Sequence, residues 1–369
     1  MSARFASAHG KMPGVIGRRR IPLFVAGTVL AVAVGAPSIA SAQEVTTTTT
    51  TAPAPADQVT APAPTAGVKP GRGGPTAQPK PARVSVFLPS VNRHKLRVGK
   101  RARALGYVKP FVAGQHVQVQ LLRNGKVLGE ENVQVKKDKG RNRGVFRFES
   151  AKLTRPGSFK IVATHEATDE QARDVARSSK FHITYPDLDP GDNNSDVMLF
   201  NKLLKKQGYF TSGGKHYSVR TEWAVMAVRK VNGMTRNYNA NPKIFRKLAA
   251  RKAEFNLKYP SQGKHVEVDI SRQVMVLAKH GKPQYTFAVS TGAPATPTIR
   301  GHYQFYRKDP GYNSVGMYYS VYFHGGYATH GYHSVPPYNA SHGCVRNPIP
   351  DSKFIYNWIS LGDSIYVYD

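Results

Sequence analysis

The stretch from residue 43 to 82 has nothing to bury, and this fixes how the rest of the chain must be read. Thr46 to Thr51 is unbroken threonine, Ala-Pro repeats follow, and Pro70-Gly71-Arg72-Gly73-Gly74 closes the run. Such a composition predicts an extended, semi-rigid spacer rather than a core. Folded structure is therefore expected from residue 83 onward, and a chain of 369 residues leaves room there for two or three units. Upstream of the spacer, Arg18-Arg19-Arg20 precedes an apolar run from Pro22 to Ala36, and Ala40-Ser41-Ala42 offers small residues beyond it. That order reads as a signal peptide over 1–42, and the apolar run is short of the roughly 20 residues a membrane anchor needs. The expected location is extracytoplasmic, at the cell envelope or wall.

The formal net charge is +31. Nucleic acid is the first partner such a charge suggests, because basic side chains pair with phosphates. A secreted chain does not meet nucleic acid, so that class is set aside. Anionic wall polymers become the expected partner, against the plainer reading of a solvated basic face. Residues 263–369 hold nine Lys/Arg against six Asp/Glu, so most of the excess belongs to the upstream units.

Three periodicities follow one another. Over 83–187 apolar residues alternate, as at Val84, Val86, Leu88 and at Val117, Val119, Leu121, which predicts strands. Asn124-Gly125 lies between two such runs and marks a hairpin, since both residues tolerate positive φ. The spacing suggests a small β-sandwich. Over 190–250 the period becomes helical. Ser195 is expected to cap a helix burying Val197, Phe200, Leu203 and Leu204 and ending at Gly208, and Thr221 to cap a second. Asn241-Pro242 opens a third, with Ile244, Phe245 and Leu248 inward. Over 263–369 strands return, with one helix expected near Ser352 to Ile359. The fold class expected is thus multidomain and mostly β, with a three-helix unit in the middle.

The chain has one cysteine, Cys344, so no intramolecular disulfide forms. The leftover thiol is reactive, bridges to another chain, or is inert and buried. Its neighbours favour the first. Between Tyr322 and Arg346 stand His324, His330, His333 and His342, with Gly325, Gly326, Gly331 and Gly343 among them. An imidazole can take the thiol proton to leave a thiolate–imidazolium pair. Glycines let backbone N–H groups turn toward a developing oxyanion. Nucleophile, base and oxyanion donors together predict acyl transfer. The competing chemistry is a zinc site built from His330, His333, His342 and Cys344, although the cysteine pairs usual for zinc are missing. A non-catalytic envelope-binding protein is a further alternative.

The segment Thr329-His330-Gly331…Ser341-His342-Gly343-Cys344-Val345-Arg346 resembles the catalytic signature of L,D-transpeptidases, the YkuD-type domain. Residues 263–369 agree in layout, with Ser290-Thr291-Gly292 and Thr296-Pro297 ahead of Gly301-His302-Tyr303. Asn347 departs from the apolar residue commoner there. The earlier order Asp196-Val197…Leu203-Leu204…Gly208-Tyr209…Thr221…Asn232-Gly233 resembles the small three-helix peptidoglycan-binding module.

The first resemblance implies a mostly β catalytic domain with Cys344 as nucleophile and His330 as general base, then acid. It implies that the Gly331 carbonyl orients the imidazole and that the N–H groups of Gly343 and Cys344 form the oxyanion hole. Arg346 would hold a substrate carboxylate or the loop, with Ser341 and His342 shaping the site. Tyr318, Tyr319 and Tyr338 are expected along a substrate channel. No cofactor is implied. The implied substrates are peptidoglycan stem peptides: a tetrapeptide donor losing its terminal D-Ala, and the diamino-acid amine of an acceptor, giving a 3→3 cross-link. Trimming with water as acceptor and attachment of a protein to the wall use the same acyl-enzyme and stay open.

Overall fold

The structure is a computed structural model that describes residues 78–369. The expected signal peptide and the spacer up to residue 77 lie outside the described residues. The end of that spacer already takes part in the fold. Lys80 bridges Gln171, and Ala82 is buried.

Ten strands come first: β1 (Arg83–Phe87), β2 (Lys95–Arg97), β3 (Arg101–Lys109), β4 (His116–Arg123), β5 (Lys126–Gln134), β6 (Lys136–Lys137), β7 (Gly144–Lys152), β8 (Ser158–His165), β9 (Asp174–Arg177) and β10 (Phe181–Thr184). They form two sheets, β1-β3-β7-β6 and β2-β10-β8-β4-β5, with β9 on β8. Alternation drives the packing. Val117, Val119 and Leu121 turn inward from β4 and are fully or nearly buried, as are Phe146, Phe159 and Phe181 from neighbouring strands. The hairpin between β4 and β5 has Asn124 at φ 51° and Gly125 at φ 82°, the two positive angles that a tight hairpin turn requires.

Three helices follow: α1 (Ser195–Lys206), α2 (Val219–Val231) and α3 (Pro242–Ala249). Their caps correct the sequence reading in two places. Asn194 caps α1, its Oδ1 accepting from the N–H groups of Asp196 and Val197. Helix α2 starts after Ser218. The Thr221 hydroxyl instead joins a buried network with Asn201 and Thr211. Asn241 does cap α3, accepting from Ile244 N–H ahead of Pro242.

The remaining strands are β11 (His265–Asp269), β12 (Val274–Lys279), β13 (Lys282–Ala288), β14 (Gly301–Gln304), β15 (Arg307–Tyr312), β16 (Tyr318–His324), β17 (Tyr327–Tyr332), β18 (Val345–Pro348) and, after helix α4 (Ile349–Trp358), β19 (Ser364–Tyr368). They form one sheet in the order β13-β12-β11-β19-β14 and a second in the order β15-β16-β17-β18. Val266, Val268, Leu277, Phe323, Val345, Ile355 and Val367 share the core between the sheets and α4. The described residues are mostly β, with four helices.

The helical unit grips this core through basic side chains. Lys230 of α2, 2% exposed, donates from Nζ to the Val289 carbonyl at 2.7 Å. Arg220 donates to the Pro350 carbonyl at 2.7 Å, and Arg236 donates to that of Pro337. Burial, with the nearby Arg236 charge, brings the Lys230 ammonium down to about 7. The unfolded chain holds that proton up to about pH 10.4, so between these values the unfolded state binds more protons and folding stability rises with pH. The expected outcome for Lys230→Met is loss of that rise. Wild type minus variant unfolding free energy, measured by denaturant at pH 6.5 and pH 9.5, should grow by on the order of a few kcal/mol. A difference independent of pH would show that Lys230 is not buried as an amine.

Candidate active site

The site is built on two neighbouring strands. β17 and β18 run parallel, with Thr329 opposite Val345 and His330 opposite Arg346. Side chains alternate across a strand, so His330, Tyr332, Cys344 and Arg346 fall on one face. The contacts agree: the Arg346 guanidinium lies over the Tyr332 ring at 4.3 Å, and Tyr332 stands edge-on to His330. Cys344, half-buried just ahead of β18, packs with Met317, Tyr322 and Ala328.

His330 is 3% exposed. Its Nδ1 lies 3.0 Å from the Gly331 carbonyl. A carbonyl only accepts, so Nδ1 carries the hydrogen and the Nε2 lone pair is free to act as a base. Burial pushes the imidazolium down to about 4; the Gly331 carbonyl opposes this and the Arg346 charge adds to it. The Cys344 thiol moves the other way. Burial pushes it up, against smaller effects from the Ala328 backbone and Arg346. Both shifts favour a neutral thiol beside a neutral imidazole. Burial thus disfavours charge on both groups, against the thiolate–imidazolium pair expected from the sequence. The thiol itself donates to the Gly326 carbonyl, with Sγ 3.6 Å from the oxygen.

The loop carrying Cys344 is held from the side by residues 290–298, which the sequence reading passed over as flanking layout. Ser290 and Arg346 exchange two backbone hydrogen bonds of 2.9 Å, and the N–H groups of Ala340 and Ser341 both reach the Thr291 carbonyl. Thr298 Oγ1 donates to the Gly343 carbonyl at 2.7 Å, and Thr296 Oγ1 donates to that of Ser341 at 3.0 Å. Ser341 is buried. Its hydroxyl donates to the Cys344 carbonyl and accepts from Gly343 N–H at 3.1 Å. It shapes the turn from inside and occupies an N–H that the resemblance assigned to the oxyanion hole. Cys344 N–H has no acceptor among the described residues.

The two site glycines have steric reasons. Gly343 has φ 110°, and a Cβ there would come within 2.7 Å of the Tyr327 ring. A Cβ on Gly331 would lie 2.1 Å from Ser352 Oγ on α4. The other expected residues are more scattered. Tyr318 is opposite Gly331, packs at a tilt against Tyr312 and stands edge-on to Tyr319. Tyr338 is 61% exposed, while its carbonyl accepts from Ser290 Oγ at 2.6 Å. His324, His333 and His342 are exposed. Among the described residues no group of three or more His, Cys, Asp or Glu side chains is placed to hold a metal ion, so the zinc reading finds no ligand set there.

In the sequence Asn347 is a departure from the family's apolar residue. It is buried, donates to Thr329 Oγ1 at 3.2 Å and accepts from Ser352 Oγ at 2.6 Å. Together with Gly331 it seats α4 against β17 and β18. Gly331→Ala should therefore destabilise the fold by about 1–3 kcal/mol through overpacking, read by denaturant unfolding. Adding Ser352→Ala should recover part of that loss. Wild-type stability in the single variant would show that the contact with α4 is not tight.

The family model of the L,D-transpeptidase catalytic domain, YkuD, matches residues 263–367. Among solved structures, the chain is similar to an L,D-transpeptidase from Xylanimonas cellulosilytica, at 28% identity over 50% of this chain and 98% of that one, with a TM-score of 0.46. It is similar to an L,D-transpeptidase from Stackebrandtia nassauensis at 24% identity, over 50% and 96%, with a TM-score of 0.31. An L,D-transpeptidase from Mycobacterium smegmatis matches at 12% identity, over 78% and 100%, with a TM-score of 0.27. No curated protein matches the chain. At these TM-scores the solved structures carry no weight of their own, and the assignment rests on the family model. Residues 263–367 thus belong to the family of L,D-transpeptidase catalytic domains.

Proposed function

We propose that the chain is an extracytoplasmic L,D-transpeptidase that forms 3→3 peptidoglycan cross-links through a Cys344 thioester. The observation that carries this reading is the shared face of β17 and β18, where His330, with Nδ1 tied to the Gly331 carbonyl, stands one strand away from Cys344.

The neutral pair sets the order of events. The donor tetrapeptide binds with the carbonyl of its third residue over Sγ. His330 Nε2 takes the thiol proton as the S–C bond forms, and the negative charge moves to the former carbonyl oxygen. Cys344 N–H donates to that oxygen. The imidazolium then gives its proton to the departing amine of D-Ala as the C–N bond breaks, leaving the thioester. The acceptor's side-chain amine attacks the thioester and His330 takes its proton. Sγ leaves and is reprotonated. Each proton taken is returned, and no cofactor enters. Arg346 faces the same pocket and is the candidate to hold a stem carboxylate, with Tyr318 and Tyr338 nearer its rim. Under this reading the 190–250 helical unit is a scaffold for the catalytic sheet, supported by its donors to Val289, Pro337 and Pro350.

Incubation with a purified disaccharide-tetrapeptide, followed by mass spectrometry, tests the proposal. The expected result is loss of D-Ala with a cross-linked dimer, both absent in Cys344→Ala. Loss of D-Ala with no dimer in excess acceptor would replace it with an L,D-carboxypeptidase.

The pH dependence has a definite sign. The base must be unprotonated, and its proton leaves near pH 4, so kcat/KM should stay on its plateau through pH 6 and fall only as pH drops toward 4. An acid limb near 6.5, the ordinary histidine value, would overturn the buried-base geometry. Alkylation of the free enzyme by iodoacetamide should rise with pH to a midpoint above the ordinary thiol value, since burial raises the thiol.

A further inference from the structure

A groove of about 1160 Å³ opens between the first two sheets and α1. Its walls are unusually one-signed. On β2, Lys95 and Arg97 flank the buried Leu96, and on β3, Arg101 and Arg103 flank the buried Ala102. The pleat thus sends each cation outward. Lys152 is the Cα partner of Arg101, Lys100 stands in the turn between β2 and β3, and Lys202 faces the groove from α1.

Two of these charges are spoken for. Arg103 pairs with Glu149 at 3.0 Å, and Arg97 pairs with Asp196. Lys95, Lys100, Arg101, Lys152 and Lys202 have no acidic partner among the described residues. Five uncompensated cations in one concave surface repel one another and focus a positive potential. An anion held in the groove would relieve that repulsion.

We propose that this groove binds a linear phosphodiester polymer of the cell wall and so holds the enzyme on its substrate layer. The inference rests on the extracytoplasmic reading above, since inside a cell the same charges would meet nucleic acid. The free cations stand on several separate elements, so no single phosphate reaches them all and a chain of anions does. Four of the five are lysines, which act as point charges and impose no bidentate geometry. They suit a flexible backbone of repeated charge. Met198, 48% exposed on the α1 wall of the groove, offers an apolar contact for the carbon units between phosphates.

The test uses the whole chain and purified wall sacculi, untreated or stripped of phosphodiester polymers with hydrofluoric acid. Binding to untreated sacculi should exceed binding to stripped sacculi by about tenfold or more, and should fall at least about tenfold between roughly 0.05 and 0.2 M salt, as released counterions require. The triple variant K100E/K152E/K202E should bind untreated sacculi no better than stripped ones. Its unfolding midpoint and its acyl transfer on the soluble disaccharide-tetrapeptide should match wild type. Full binding by a correctly folded triple variant would overturn the proposal. Equal, salt-sensitive binding to both sacculi would overturn it too, moving the ligand to peptidoglycan carboxylates. Polymer binding with no acyl transfer by wild type would leave the groove standing and sink the transpeptidase reading instead.

Discussion

Everything at the site depends on the parallel pairing of β17 with β18. Adjacent strands in a hairpin run antiparallel. To run parallel, the chain must cross over, and that takes a dozen or more residues. Here the crossover is the segment between Tyr332 and Val345, and it is a loop rather than a helix. A loop in that position must satisfy its backbone polar groups without a ladder. Residues 290–298 supply the partners, receiving Ala340 and Ser341 N–H at Thr291 and giving hydroxyl bonds to the Ser341 and Gly343 carbonyls. Cys344 therefore sits on a loop, as reactive residues often do, but on one pinned at both ends and along its length. Lys230 reaches the head of the same segment at Val289, which brings the helical unit into the frame of the site.

That enclosure weighs against charge on either group. Taking a thiolate and an imidazolium out of water costs more than one unpaired arginine nearby returns. His330 goes down and Cys344 goes up for the same reason. Arg346 lowers both groups, which helps the thiolate and hinders the imidazolium, so it cannot by itself create the ion pair. Under the proposed mechanism a neutral pair moves its proton only when a carbonyl arrives to be attacked, and the charge then passes to the oxyanion and its N–H donor. The resting thiol is correspondingly less open to oxidation than a standing thiolate would be.

The sequence showed what is local and concealed what is not. Asn124-Gly125 and Asn241-Pro242 are complete signals within a few residues, and the hairpin and cap they predict are present. Ser195 and Thr221 carry the right chemistry for caps, yet Asn194 and Ser218 take those positions. A hydroxyl that caps a helix and one that joins a buried network look alike in one dimension. β15 contains Pro310-Gly311, which reads as a turn. It is tolerated because β15 is an edge strand, where a missing N–H costs no ladder bond. Lys230 near the end of α2 reads as a solvated cation favourable to the helix dipole. Its burial depends on the backbone just after β13, some sixty positions downstream. At the site, the His-Gly and Ser-His-Gly-Cys segments were legible because the residue types are few and closely spaced. The burial that sets their charge was not, since it depends on packing from several strands.

The departure at Asn347 completes the picture of how the site is set. A slip of one residue between β17 and β18 would send Cys344 to the opposite face from His330. A slip would also take Val345, the one apolar side chain β18 gives to the core, out of its place. A buried polar set penalises it strongly, because each unmet donor or acceptor forfeits its hydrogen bond in a medium without water. Thr329 on β17, Asn347 on β18 and Ser352 on α4 form such a set, and Ser352 also donates to the Pro348 carbonyl. Gly331, too close to Ser352 for any side chain, lets α4 come near enough to close it. The amide at 347 thus helps to fix the register that puts Cys344 and His330 on one face, although it touches neither.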